Sequence, residues 1–508
     1  MPAVVRRGRV AGLGEPLDHM PLEHRDATGD RVRDHCVLAD ALDAERRRRR
    51  RDAPIHVPAR HPDEDNLRLR VGGDVRERLA REHGRCRREG EEELSAVHLV
   101  YTVPRVETVP LRRNRDFVLF QGGQLLSNFG TQSTQIAYPL LVLALTHSPA
   151  KAGIVAFARA LSLWLFALPA GLAADRYSRK QLMIASDVVR ATAMTALGLT
   201  ILLGRAPFWE ITVIAFVEGA GASLFGGATQ AVLRAVVPRH QLPMATSVLT
   251  ARAAIIRLGG PPLGGALFQL ARSIPFLADA GSYVFSTAAL LAMRTPFEEE
   301  REPDAARLRA QLVEGVRFLW DQRFLRTVAF LFSLAQFILP GVTLALVVIG
   351  KRQGLTGGEI GGLVASFGLA LLVGAVIAPV TRRLLPTRVL ILLEFWSWAG
   401  CAAFLVFPSV YVLAGSMIPT ALAIPTTDSV VWPYMFSLTP DRLMGRTQAV
   451  ISSITLALGA LGPLAAGFLL ANVSERATIA VFAAFGLTLA VWGTLSPAIR
   501  AAPTLAEL

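Results

Sequence analysis

Beyond residue 116 the chain is a succession of apolar runs divided by short polar breaks. Twelve such runs fall at roughly 117–146, 152–173, 182–203, 208–236, 243–271, 274–293, 326–349, 359–380, 388–407, 409–436, 446–471 and 476–497. Each approaches or exceeds the ~20 residues a helix needs to cross a bilayer. Backbone N–H and C=O groups find no water in lipid, so a spanning segment must pair them internally. The alternating pattern of a barrel strand is absent, and the runs are read as helices. The expected fold is all-α and integral to a membrane, with twelve transmembrane helices.

The cations orient it. With the N-terminus in the cytoplasm, the inner breaks collect 21 Lys and Arg and the outer breaks six. Positive charge is retained on the cytoplasmic side, so both termini are expected there, in a multi-pass protein of the cell membrane. The net charge of +13 is explained by this topology, and no nucleic-acid partner is needed. The longest break, 294–325, separates six spans from six and reads as a cytoplasmic linker helix. The six-helix units are then 112–293 and 326–500, followed by a short tail, 501–508.

Residues 1–115 differ in kind, holding 25 Arg, no Lys and 21 Asp or Glu. Charge without a core predicts disorder over 1–111. The Arg-only cations and lack of periodicity equally fit translation from a misassigned start, with initiation at Val103, Val106 or Val109. The first 30 residues lack the apolar core of a signal peptide.

A repeat supports the halves. VPRHQLPMATSVLTARAAIIRLGGPPLGG (237–265) aligns without gaps on TPDRLMGRTQAVISSITLALGALGPLAAG (439–467), placing Pro238, Gly260, Pro261 and Gly265 on Pro440, Gly462, Pro463 and Gly467. Two related six-helix halves are one of the plans transporters use.

Between spans two and three lies GLAADRYSRK (171–180), a knot of charge in apolar surroundings. Its pattern of Gly171, Asp175, Arg176, Arg179 and Lys180 resembles the signature loop of the major facilitator superfamily. GGPPLGG (259–265) resembles the glycine–proline motif of exporters in that superfamily. Phrases such as LTHSPAKAGIVAFARALSLWLFALPAGLAADRYSRK, FLADAGSYVFSTAALL and VPRHQLPMATSV are similar to its twelve-helix drug–proton antiporter branch, which includes macrolide efflux proteins and the enterobactin exporter. The resemblance covers about 112–500.

It implies a role for the loop. The three cations would hold it at the anionic membrane surface. Asp175 would latch the halves together, its partner being Arg446 or the positive N-terminal end of span eleven. Loss of such a latch would bias the conformational equilibrium by about 1–3 kcal/mol. A topology anchor needs the cations but not the acid. Gly260, Pro261, Gly264 and Gly265 have two open readings, a seal against proton leak and ordinary close helix packing.

Span one carries Gln121, Gln124, Asn128, Gln132 and Gln135 on one helical face, and span seven carries Ser333, Gln336 and Thr343. Such stripes face protein or water, so both are expected to line a central cavity. Ionisable residues at membrane depth are expensive and mark function by default. They are Arg159, Asp187, Arg190, Glu218, Arg252, Arg257, Asp279, Glu394 and Asp428. Asp187 and Arg190 are read as a structural pair near the loop. Asp279 and Glu394 lie near span ends, where their reading stays open. Glu218 and Asp428 are the proton candidates, one in each half, because low dielectric favours the neutral acid. Arg252 or Arg257 would neutralise Glu218 from the next span, and a static buried pair is the competing reading.

Lys151, Lys180 and Lys351 are followed by Ala, Gln and Arg, so no P-loop lysine exists and ATP drive is excluded. Cys36, Cys86 and Cys401 make no metal or disulfide spacing. No enzyme activity, catalytic set, cofactor or metal is expected. The expected function is secondary active transport, a proton-driven exporter of lipophilic drug-like compounds or siderophores working by alternating access. The expected partners are a small-molecule substrate, protons and the lipid bilayer, and the chain is expected to be monomeric. A lysophospholipid-type transporter and a non-transporting receptor on the same scaffold are the alternatives.

Overall fold

The computed structural model describes residues 110–295 and 305–500. Expectations for 1–109, for part of the linker and for the 501–508 tail lie outside the described residues. Every regular element described is helical: α1 Arg115–Thr146, α2 Pro149–Arg176, α3 Arg179–Leu202, α4 Phe208–Val236, α5 Leu242–Leu270 and α6 Ile274–Ala292. The linker helix α7 spans Ala305–Asp321. A second six follow: α8 Arg323–Arg352, α9 Gly357–Leu384, α10 Thr387–Val406, α11 Val410–Leu438, α12 Asp441–Asn472 and α13 Glu475–Leu495. They make a membrane protein of twelve spanning helices in two sets of six.

Ten of the twelve are long and apolar enough to cross a membrane by length and composition alone. The exceptions are α1, with its row of amides, and α5, with Arg252 and Arg257. These two pack on each other, and α5 also packs on α9 of the other half. Polar residues concentrate on interior helices because neighbouring helices can satisfy them and lipid cannot. On the outer surface Leu165, Val189, Leu199, Val376 and Leu384 stay exposed, as a lipid solvent permits.

Tight turns place successive helices side by side. His147 adopts φ 51° between α1 and α2, and Ser148 then caps α2, accepting from Lys151 N at 3.3 Å with Pro149 in the first turn. Thr356 and Glu359 form a reciprocal capping box at the start of α9. Along α10 the helix passes through a 3-10 segment at Trp398–Ala402. There Gly486 of α13 lets the buried Trp398 pack against its backbone.

The repeat reappears as equivalent packing. Gly260 of α5 lies against the Gln132 side chain on α1, and its repeat equivalent Gly462 of α12 against the Phe337 backbone on α8, while Gly264 lies against the backbone of Ser133. Five residues beyond Gly260 and Gly462, Gly265 meets Gly357 of α9 and Gly467 meets Gly153 of α2. The first contact in each pair closes a half, and the second joins the halves. A Cβ on Gly467 would stand 2.6 Å from the Pro149 carbonyl oxygen. Gly264 and Gly265 of the motif thus both sit against the backbone of a neighbouring helix.

Asp116 fastens the last turn of α6 to the start of α1. Its carboxylate accepts from Arg294 N at 3.1 Å, from Thr295 N at 2.7 Å and from the Thr295 hydroxyl. Asp116→Ala leaves these donors without their partner, an expected loss of about 1–3 kcal/mol. A lowered melting temperature in detergent, with faster proteolytic nicking after residue 295, checks it.

Candidate functional site

The first half contains a largely buried charge cluster, assembled from polar side chains of five helices. Glu218 of α4 is 0% exposed and forms a buried ion pair with Arg159 Nε of α2. Its other oxygen takes Arg190 Nη2 of α3 at 3.0 Å. The same Nη2 reaches the Tyr283 hydroxyl of α6 at 2.5 Å and Thr131 Oγ1 of α1 at 3.1 Å. Arg190 Nη1 lies 3.6 Å from Asp187 Oδ1, and its guanidinium stands 3.9 Å from the centre of the Tyr283 ring. Beside them Asp279 of α6 accepts from Thr134 Oγ1 at 3.1 Å and from the Tyr283 hydroxyl at 3.2 Å. Two glycines admit this density: Gly219 lies against the Arg159 carbonyl and Gly221 against the Arg190 side chain.

Two sequence expectations change here. The partners of Glu218 are Arg159 and Arg190, not Arg252 or Arg257. The span that follows in sequence, α5, packs on α1 and α9, while α4 packs on α2 and α3. Arg252 instead donates to Gln121 of the α1 stripe at 2.5 Å, and Arg257 is exposed. Asp187 and Arg190 do pair, but Arg190 belongs to the charge cluster and is not a support for the loop. Asp279 lies 0% exposed in the bundle, so nearness to a span end brings it no solvent.

The remaining candidates are spread more widely. Gln132 packs its Cβ against Gly260, and Gln336 is exposed on α8. Asp428 of α11 is exposed and feels the charge of Arg257 across the halves. Nearby Glu394 of α10 is 4% exposed, its Oε2 has no partner, and no cation is in ion-pair distance among the described residues. An ionised carboxylate there would be costly, so the neutral acid is favoured. Glu394→Gln, which imitates that acid, should leave the melting temperature nearly unchanged, whereas Glu394→Lys should abolish the folded peak in size-exclusion chromatography.

Of the three cations in the signature loop Arg176 is the exposed one, 6.0 Å from the Tyr177 ring centre. Arg179 is 6% exposed, and Lys180 Nζ donates to the Met293 carbonyl at 2.8 Å. Two of the three cations expected at the lipid surface thus bind protein. Gly171 has no atom within 4 Å of a Cβ position. Arg446 pairs with Glu314 of α7, which also takes Arg442 Nη2 at 2.7 Å. The Asp175 side chain lies outside the described residues.

Sequence reasoning missed Tyr283 and the place of Asp279. The signal was available: Asp279, Ser282, Tyr283 and Ser286 recur at 3, 4 and 7 on one face of an otherwise apolar span. In that stretch Asp279 alone was singled out, as an ionisable residue near a span end.

A family model for the Major Facilitator Superfamily matches residues 122–460, two thirds of the chain. The chain belongs to the major facilitator superfamily. As such it is a membrane transporter that handles small molecules. Within the superfamily it is 26% identical over 394 residues to the multidrug efflux pump Tap of Mycolicibacterium fortuitum, covering 74% of this chain and 94% of that protein. It is also 24% identical over 230 residues to macrolide efflux protein A of Streptococcus pyogenes, covering 44% and 55%. A bacterial homologue of the human lysosomal transporter Spinster, solved inward-facing and unoccupied, has the same major facilitator fold. It matches with a TM-score of 0.60 and 14% identity over 76% of this chain and 97% of that one.

Proposed function

We propose that this major facilitator protein is a proton-driven exporter of lipophilic drug-like compounds or siderophores, acting as a monomer with both termini in the cytoplasm. The observation that carries the reading is the buried cluster of Arg159, Asp187, Arg190, Glu218 and Asp279. Five ionisable side chains deep in a bundle that crosses lipid are too costly to serve packing alone. The efflux relatives support the substrate class, and the 21-to-six charge bias supports the orientation.

Alternating access is supported by one-ended closure. The halves meet backbone to backbone at Gly153 with Gly467 and at Gly265 with Gly357. At the opposite ends of α2 and α12, Gly171 and Gly445 have nothing within 4 Å of a Cβ position. With cytoplasmic termini the closed end is the outer one, and the cavity opens inward. Gln135 of α1 and Gln336 of α8, with Arg257 and Asp428, all exposed, then line the passage, while Gln124 and Ser333 of the same stripes are buried. Asp175 and Arg446 form the latch of the opposite, outward-open state, after Arg446 leaves Glu314.

The test is accumulation of ethidium and a macrolide panel in efflux-deficient cells expressing the chain, with and without a protonophore. Export predicts lower accumulation that the protonophore abolishes. Unchanged accumulation across the panel contradicts the substrate class.

A further inference from the structure

Which carboxylate takes the proton is a question that rests on the exporter reading, and the cluster answers it differently from the sequence. Glu218 is held by two guanidiniums, Arg159 and Arg190. Protonating it would leave two buried cations without their counter-charge, the costliest change the site could undergo. Asp187 has Arg190 Nη1 at 3.6 Å. Asp279 has no guanidinium within ion-pair distance among the described residues. Its partners are all hydroxyls: Thr134 Oγ1 at 3.1 Å, Tyr283 OH at 3.2 Å and Ser282 Oγ at 3.2 Å. A hydroxyl donates to a carboxylate and accepts from a carboxylic acid, so this pocket serves both protonation states.

The charge count points the same way. The titratable and charged groups that face Asp279 are Tyr138 of α1, Arg159 of α2, Asp187 and Arg190 of α3, Glu218 of α4 and Tyr283 of its own helix. Three carboxylates stand against two guanidiniums, and one proton makes the cluster neutral. Uncompensated charge in a low dielectric is the expensive state.

We propose that Asp279 is the proton-binding residue of this transporter, and that the Tyr283 hydroxyl relays its protonation state to the Glu218, Arg190 and Arg159 network. The Tyr283 hydroxyl has one proton and two carboxylates in reach, Asp279 Oδ2 at 3.2 Å and Glu218 Oε1 at 3.5 Å. When Asp279 is ionised, that proton points to Asp279. When a proton from water binds Asp279, its O–H donates to a neighbouring hydroxyl oxygen and the tyrosine proton turns to Glu218. The hydroxyl that accepts turns its own proton to a backbone carbonyl in reach, and no other covalent bond changes. Glu218 then shares its charge with a third donor, and its grip on Arg159 weakens. Arg159 keeps the most exposure in the cluster, 19%, and presents the change to a substrate. Gly130 of α1 lies directly over the Asp279 carboxyl, where a Cβ would clash. Separation of α1 from α6 is therefore what uncovers the site.

The experiment is infrared difference spectroscopy of the full chain in lipid nanodiscs, between about pH 5 and about pH 9, which brackets a perturbed carboxyl. The wild type should lose a protonated-carboxyl C=O band as pH rises. That band should be absent from Asp279→Asn and present in Asp187→Asn and Glu394→Gln. Asn imitates the protonated acid, so this variant should fold; if it does not, Asp279→Glu should shift the band in frequency. A band unchanged in Asp279→Asn and Asp279→Glu, or no titrating band in the wild type, overturns the assignment. Tyr283→Phe should keep the band and lose ethidium-induced proton release, read with pyranine; release at the wild-type level would overturn the relay. The outcomes separate the two claims. A band assigned to Asp279 together with protonophore-insensitive efflux leaves the site standing and removes the exporter reading. Protonophore-sensitive efflux with the band elsewhere removes only the site.

Discussion

Glu218→Gln is expected to destabilise the protein by about 3–5 kcal/mol, the cost of removing one partner from a buried ion pair. The cause is what remains: the Arg159 and Arg190 guanidiniums, with side chains 19% and 6% exposed, facing a neutral amide in place of the carboxylate that held them both. An amide keeps one acceptor, so the shape survives and the electrostatics do not. Thermal unfolding in detergent, followed by size-exclusion chromatography, should show a melting temperature many degrees lower. Adding Arg159→Gln should restore much of the loss, because the double variant removes one positive and one negative charge together. Equal melting of wild type and Glu218→Gln would mean that the cluster is hydrated and that its burial has no energetic consequence.

A valine at Gly467 or at Gly265 is expected to force the halves apart at the end where they now touch. A Cβ on Gly467 would lie 2.9 Å from Gly153 Cα, and one on Gly265 would overlap the Gly357 carbonyl. Backbone cannot give way as a flexible side chain can, and overpacking of this kind costs about 1–3 kcal/mol. If the proposed alternating access breaks this contact in its other conformation, that cost shifts the equilibrium between the two by about 5–150-fold. Ala152, 1% exposed beside the seam, is the reporter. In a background lacking Cys36, Cys86 and Cys401, an Ala152→Cys thiol should react with a membrane-impermeant maleimide at least tenfold faster once Gly467→Val is added. Equal rates would show that the seam stays shut and does not gate access.

Much of the fold is legible in the sequence because lipid imposes a length and an apolarity on every span. The twelve runs correspond to the twelve long helices, and the 202-residue offset reappears as Gly265 with Gly357 and Gly467 with Gly153. The break within α10 left no trace, since Trp398 and Gly400 read as ordinary members of an apolar run. Site residues were legible as types but not as pairs. Glu218 and Arg159 stand out as charges in apolar spans, yet a partner for Glu218 was sought on α5, its neighbour along the chain. Adjacency in the bundle follows helix packing, which brings α2, α3 and α4 together. Asp279 was left open for its nearness to the span's end, although three hydroxyls on its own helix and on α1 enclose it. In the signature loop, charge alone suggested contact with lipid, while Lys180 is drawn instead to the free carbonyl at the end of α6. Arg446 looked available to Asp175 because α7 had been read only as a linker, without Glu314 as a ligand for α12.

The most direct test of proton-driven export is ethidium movement in proteoliposomes holding the purified chain alone, with an imposed pH gradient and no other energy source. Ethidium should accumulate in the acidic lumen and be released when nigericin collapses the gradient. Empty liposomes give the passive background. Accumulation equal to that background, with the protein shown to be folded and inserted, would contradict proton-driven export.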